Sequence, residues 1–300
     1  MTYFFSFPFF AMGTECLLHL YAPSQAVAHE IAQAVMTEVI RIEQRYSRFL
    51  PDSLLSEINF TAKQGGKLEV DEETAGLLDY AYACHRKSAG LFDITAGILY
   101  QAWDFSSNAL PNQSQIDALL PRVGLKKILW KRPFLQFPMH GMSLDFGGIG
   151  KEYAADRVAD LCISNGIEHG LVDLGGDIRI IGPHPDGSPW RVGIRDPAQP
   201  ETTMVVIDVT NGAIATSGDY ERYIEVAGNR YCHILNPISG WPVGGLSSVS
   251  VVAERCMVAG SIATIAMLKG QEGIAWLESL GVPHVWVDDA GRRAGNLFSA

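Results

Sequence analysis

The chain has 300 residues, 23 basic and 33 acidic, for a formal charge of −10, with 47 % apolar and 19 % charged residues. That composition excludes a disordered chain, and the acidic balance argues against a nucleic-acid binder, which needs a basic face. An anionic ligand is not excluded, but helix N-termini, a bound metal or a few placed cations would have to hold it.

The first ten residues, Met1-Thr-Tyr-Phe-Phe-Ser-Phe-Pro-Phe-Phe10, are apolar. No Lys or Arg precedes Arg41, so they lack the charged start of a signal peptide. A stretch at 13–21 reads as a strand. Ser24 then caps a helix over 25–46, with Val27, Ile31, Val35, Val39 and Ile42 at helical spacing. A short helix is expected over 53–59, a turn at Gly65-Gly66, and a helix from Asp71-Glu72-Glu73 to about Ser88, stopped by Gly90. Residues 106–121, rich in Ser, Asn, Pro and Gln, read as a surface excursion, followed by strands near 126–130, 133–137 and 142–145. Gly147-Gly148 opens a helix over 149–165, closed by Asn165-Gly166. Strands follow near 170–173, 177–182, 190–195 and 203–209, then a hairpin of 221–227 and 230–235, and a strand at 247–253. Helices at 257–268 and 271–280 and a strand at 284–288 finish the chain.

No linker or low-complexity segment divides this order, so residues 1–300 read as one compact α+β domain with mixed or antiparallel sheets and flanking helices. No run of 18 apolar residues crosses a membrane. The five cysteines (Cys16, Cys84, Cys162, Cys232, Cys256) are odd in number and none form a CxxC pair, which speaks against a disulfide framework or zinc site. The expected compartment is the cytoplasm.

Asp145-Phe-Gly-Gly148 is echoed by Asp173-Leu-Gly-Gly176, 28 residues on. The interval suits a crossover unit with parallel neighbouring strands. The glycines before the helix offer free amides and its positive dipole end, and Lys151 adds a full charge, so a diphosphate suits the place. The segment is neither GxGxxG nor a Walker A sequence, and a tight structural turn reads it equally well. Thr216, Ser217 and Asp219 supply hydrogen-bonding groups in what reads as a polar turn between strands. His233 lies at a strand end, either structural or a base near pH 7. Gly90-Leu-Phe-Asp-Ile-Thr-Ala-Gly97 suits core packing or an aromatic-ring contact.

These segments, with Met12-Gly-Thr14, Arg45-Tyr-Ser-Arg-Phe49, Ser56-Glu-Ile-Asn59, Asp145-Phe-Gly-Gly-Ile-Gly-Lys151, Asp173-Leu-Gly-Gly-Asp177, Thr216-Ser-Gly-Asp-Tyr220, His233-Ile-Leu-Asn-Pro237 and Ala263-Thr264, stand in the order of the ApbE family. The chain resembles that family, the FAD:protein FMN transferases, from Met12 to Gly270. The resemblance implies a T-fold-related domain and an enzyme that cleaves FAD. The FMN half passes through a phosphoester bond to a Thr or Ser of an acceptor protein, with release of AMP and help from magnesium.

It further implies that Met12, Tyr46, Leu91, Phe92, Asp93, Asp145, Lys151 and Ile234 line the FAD site, joined by Thr216 and Ser217. His233 would activate the acceptor hydroxyl. The cation would be held by a carbonyl at Gly148 and by the Asp and Thr of an Asp-x-x-x-Thr helix start. In this chain the Asp position is Gly260, while Thr264 remains. Asn236 replaces an acid, and Glu152 a glycine as a milder departure. Asp145 and Asp219 are the carboxylates left to compensate. Two other readings follow from the lost Asp: an FAD-binding protein without transfer, and a magnesium-dependent FAD pyrophosphatase.

Overall fold

A computed structural model describes residues 1–107 and 109–299. The chain begins with β1 (Tyr3–Ala11) and β2 (Thr14–Ala22), then α1 (Gln25–Tyr46), α2 (Leu54–Gln64), β3 (Lys67–Glu69), α3 (Glu72–Lys87), α4 (Gln113–Leu119), β4 (Leu129–Lys131) and β5 (Phe134–Gln136). It continues with α5 (Gly150–Ser164), β6 (Gly170–Leu174), β7 (Asp177–Gly182), β8 (Trp190–Asp196), β9 (Gln199–Val209), β10 (Ala213–Gly218), β11 (Tyr223–Val226) and β12 (Asn229–Cys232). It ends with β13 (Leu246–Ala253), α6 (Cys256–Lys269), α7 (Gln271–Leu280), β14 (His284–Asp288) and β15 (Arg293–Ala294).

The first helices form for local reasons. Ser24, Ser53 and Asp71 each accept a backbone N–H of the first turn of α1, α2 and α3, worth about 1 kcal/mol apiece. Val35, Val39 and Ile42 lie fully buried along one stripe of α1, each contributing about 1.5–3 kcal/mol. Gly65 ends α2 at φ +68°, a backbone that L side chains rarely adopt.

Eight strands form one sheet in the order β1-β2-β6-β7-β10-β13-β14-β15. Every neighbouring pair is antiparallel. The apolar start of the chain is the outer strand of this sheet, with Phe5, Phe7 and Phe9 packed on the core. The main core, which includes the buried faces of α1, α2, α3, α5 and α6, adjoins the sheet. A second cluster, with Trp190, Val192 and Ile194 of β8 and Ile207 and Val209 of β9, packs Ile180, Ile214 and Val285 of the sheet.

The crossover with parallel neighbours is not formed. Residues 142–145 are not a strand, because the Asn59 side chain takes both backbone groups of Leu144: its Nδ2 donates to the carbonyl and its Oδ1 accepts the amide. The polar turn expected around residue 216 is instead the strand β10, held between β7 and β13. Its residues Ala213, Ile214 and Ala215 are all buried, so period-two alternation was absent. The surface excursion contains α4, started by a capping box between Asn112 and Gln115. One residue of that excursion, Asn108, lies outside the described residues.

Candidate functional site

Two polar groupings meet where α5, β7, β10, α6 and the segment after β12 come together.

The first is built around His233, the residue after β12. Its backbone amide donates to the Arg222 carbonyl at 3.0 Å, and its Nδ1 lies 3.1 Å from the same oxygen. A carbonyl only accepts, so Nδ1 carries the proton and Nε2 carries the lone pair. Burial pushes the imidazole down to about 4, despite the backbone bond to Arg222, with Arg222, Lys151 and Arg48 adding repulsion of the charged form. His233 is therefore neutral at physiological pH. The Tyr100 hydroxyl donates to its carbonyl at 2.8 Å. The Arg48 guanidinium lies 3.9 Å from the centre of the Tyr100 ring and 3.3 Å from Asp145 Oδ2. The other oxygen of Asp145 accepts the Gly147 amide at 2.8 Å. His233, Tyr100, Arg48 and Asp145 thus form one connected chain.

The second grouping surrounds the start of α5. This helix has no side-chain cap at Ile149, and the acid in its first turn is Glu152. Gly148, just before it, lies against Phe92: a Cβ there would stand 3.3 Å from the ring. The Met12 methyl lies over Gly150, about 4.0 Å from where a Cβ would sit. Lys151 Nζ donates to Asp177 Oδ2 at 2.6 Å. Nearby charge, chiefly Asp177, raises the lysine against the effect of burial, while burial outweighs that pairing and raises Asp177. The cation expected for phosphate alone is therefore already shared with a buried carboxylate.

Glu152, noted in the sequence only as a milder departure, is a buried acid here. It is only 6 % exposed, and its Oε2 has no hydrogen-bond partner. Burial first, then Asp177, raises it to about 8. A Cβ built at Gly260 would stand 2.6 Å from Glu152 Cγ and 2.6 Å from Oε1. The space over Gly260 is thus filled by the Glu152 side chain. On the same face of α6, one turn later, Thr264 Oγ1 shares a 2.8 Å hydrogen bond with Ser217 Oγ. Thr216 Oγ1 shares one of 2.7 Å with Ser250.

The remaining sequence candidates divide. Tyr46 is buried edge-on against Phe146, and its hydroxyl pairs with Thr74 at 3.1 Å. Asp93 is turned inward: one oxygen accepts Thr95, the other the Leu125 amide, with His85 3.6 Å away. Its carboxylate is spent on the fold. Leu91 and Ile234 are half-buried and pack on the main core. Asp145 and Asp219, the carboxylates expected to replace the missing acid, are both committed to arginines, Arg48 and Arg230. No cluster of three or more His, Cys, Asp or Glu that could hold a metal is present among the described residues. An open cleft of about 830 Å³, lined by Phe10, Thr14, Asp173, Gly176, Arg195 and Thr216 among others, adjoins β10.

An antiparallel α+β domain with an uncapped helix start, a paired lysine and a neutral histidine defines a protein suited to holding a phosphorylated ligand beside a base. The ApbE family model matches residues 12–286. The FAD:protein FMN transferase of Vibrio cholerae is 30 % identical over 288 residues, spanning 89 % of this chain and 86 % of that protein. That of Escherichia coli K12 is 31 % identical over 253 residues, spanning 81 % and 72 %. Among solved structures, the ApbE protein of Thermotoga maritima superposes with a TM-score of 0.89 at 31 % identity, covering 98 % of this chain and 97 % of that one. The flavin transferase ApbE from Vibrio cholerae gives 0.88 at 27 % identity, again covering 98 % and 97 %. The chain belongs to the ApbE family.

Proposed function

We propose that this chain is an FAD:protein FMN transferase that moves FMN from FAD onto a Thr or Ser hydroxyl of an acceptor protein and releases AMP. The observation that carries the reading is His233: its Nδ1 proton is tied to the Arg222 carbonyl, so Nε2 is left as a neutral base. An alcohol is a poor nucleophile until its proton is removed. His233 Nε2 takes that proton as the oxygen bonds to the phosphorus of the FMN half. The bond to the bridging pyrophosphate oxygen breaks, and AMP leaves with the electron pair.

The residues around the flavin support this division of labour. The positive end of α5 would take the phosphates, with the Lys151–Asp177 pair beside it. Asp145 is held by Arg48 and the Gly147 amide, ready to orient polar atoms of the ligand. Met12, Phe92 and Ile234 offer apolar contact to its rings, and Thr216 and Ser217 offer hydroxyls. Leu91 packs on the main core, and Tyr46 lies edge-on against Phe146 of the same core.

The donors also fit a hard cation. Glu152 Oε2 is buried without a partner, and hydroxyl and carbonyl oxygens suit magnesium. The Gly148 carbonyl and Thr264 hydroxyl would hold it. When bound, magnesium offsets phosphate charge and polarises the attacked phosphorus. We place the protein in the cytoplasm on its five cysteines, all free and buried. Among the described residues no helix is long and apolar enough to cross a membrane.

The test is FMN transfer from FAD, with magnesium, onto an acceptor domain modified by a related transferase, followed by in-gel flavin fluorescence. Covalent labelling of the acceptor is expected. Release of FMN and AMP without labelling would convert the reading to a pyrophosphatase, and FAD binding with neither product would leave a flavin-binding protein.

A further inference from the structure

Buried carboxylate oxygens without partners are costly, since each forgoes hydration without a replacement bond. Glu152 is such a group, at the third position of α5. Its neighbours explain only part of it. Its own backbone amide is within bonding reach, and Lys151, next in the chain, favours its charged form, but that lysine donates its hydrogen bond to Asp177. The buried guanidinium of Arg179 lies 3.3 Å from Asp156. Oε2 is left over.

Its location is specific. The side chain fills the volume that a side chain at position 260 would occupy, with Cγ, Oε1 and Cδ at 2.6, 2.6 and 3.0 Å from a Cβ placed there. Glycine at 260 is what makes this possible. Glu152 therefore presents its carboxylate on the α6 face that carries Thr264 one turn later, where the Ser217 and Thr264 hydroxyls already meet.

Resting on the reading that this corner assists phosphoryl transfer from FAD, we propose that Glu152 is the anionic ligand of the divalent cation, reaching across from α5 to supply a carboxylate that α6 lacks. Positions 152 and 260 act as one unit. A carboxylate at either one, opposite a glycine at the other, fills the same space with the same charge. A carboxylate at both overfills it.

Mn2+ serves as the probe, titrated into the full chain with and without FAD, with the free ion followed by electron paramagnetic resonance. FAD binding is read separately by quenching of flavin fluorescence. The native chain is expected to bind Mn2+. Glu152→Gln, which keeps shape and removes charge, should weaken Mn2+ binding at least tenfold. Glu152→Gly combined with Gly260→Asp should return it to within threefold of native, whereas Gly260→Asp alone should not improve it. Native Mn2+ affinity in Glu152→Gln, or no Mn2+ binding by the native chain, overturns the proposal. Should Glu152→Gln fail to fold, the double variant decides: recovery supports the exchange and loss of binding overturns it. Absence of flavin quenching by the native chain would instead sink the FAD reading, with the Mn2+ titration without FAD still deciding the role of Glu152.

Discussion

The two corners of the site treat their polar groups in opposite ways. Around His233, nearly every group is committed to a neighbour: Nδ1 to Arg222, the carbonyl to Tyr100, and Arg48 to Asp145. One lone pair, on Nε2, remains for chemistry. At the start of α5 the charges are more buried and less balanced: Lys151 serves Asp177, and Glu152 keeps an oxygen unpaired. In the proposed function the first corner moves a proton, and the second receives charge from outside the chain. Preorganisation and incompleteness thus stand side by side, each suited to its task.

The sharpest way to break this comparison is His233→Ala. Loss of a positioned base should lower transfer by about 10²–10⁴-fold, while FAD binding, read by flavin fluorescence, stays near native. Near-native transfer would remove His233 from the reaction.

Next in size is Lys151→Ala. It strands Asp177, which is 4 % exposed at its side chain, without its cation. Removing one partner of a buried pair costs about 3–5 kcal/mol, and somewhat less here because Lys151 is a third exposed. A lowered melting temperature is expected, together with weaker FAD binding. Asp177→Asn added to Lys151→Ala should recover much of the stability but not the FAD affinity. Recovery of both would make Lys151 purely structural.

The smallest effect is in the pH profile. An ordinary histidine near 6.5 would be largely protonated at pH 5.5, costing a base-dependent rate about tenfold. With His233 held down to about 4, this limb should be displaced to lower pH, and the His233-dependent loss at pH 5.5 should be under twofold. The sign for stability follows from the same shift. Between about 6.5 and 4 the unfolded chain binds a proton that the folded chain refuses, so stability falls as pH drops through that window. A limb at 6.5 in the transfer rate would contradict the neutral, half-buried histidine.

Much of this molecule was legible in the residue order. Because a helix is specified by contacts within four residues, caps and apolar spacing marked α1 and α3 with near-correct bounds and α2 at its start, though α2 runs on to Gln64. The motifs from Met12 to Thr264 identified the family, and His233 stands at the strand end where the sequence put it. The errors share one cause. Residues 142–145 carry strand-like residues, but a side chain 85 positions away in sequence takes the backbone bonds of Leu144. β10 shows no alternation because the main core packs Ala213 and Ala215 on one face and the second cluster packs Ile214 on the other. One oxygen of Asp93 is spent on a local cap with Thr95, but only the tertiary contact with Leu125 reveals that the other is spent as well.

Glu152 and Gly260 make the same point about charge. The sequence by itself determined that one acid was missing from α6 and that another had appeared after Lys151. It could not join the two facts, because they lie 108 positions apart and on different helices. Only the packing of α5 against α6 decides that one side chain fills the space left by the other. Local sequence sets which groups exist and which elements carry them, since propensity and capping act over a few residues. Which charge faces which is set by packing between distant elements, and it is there that the site is made.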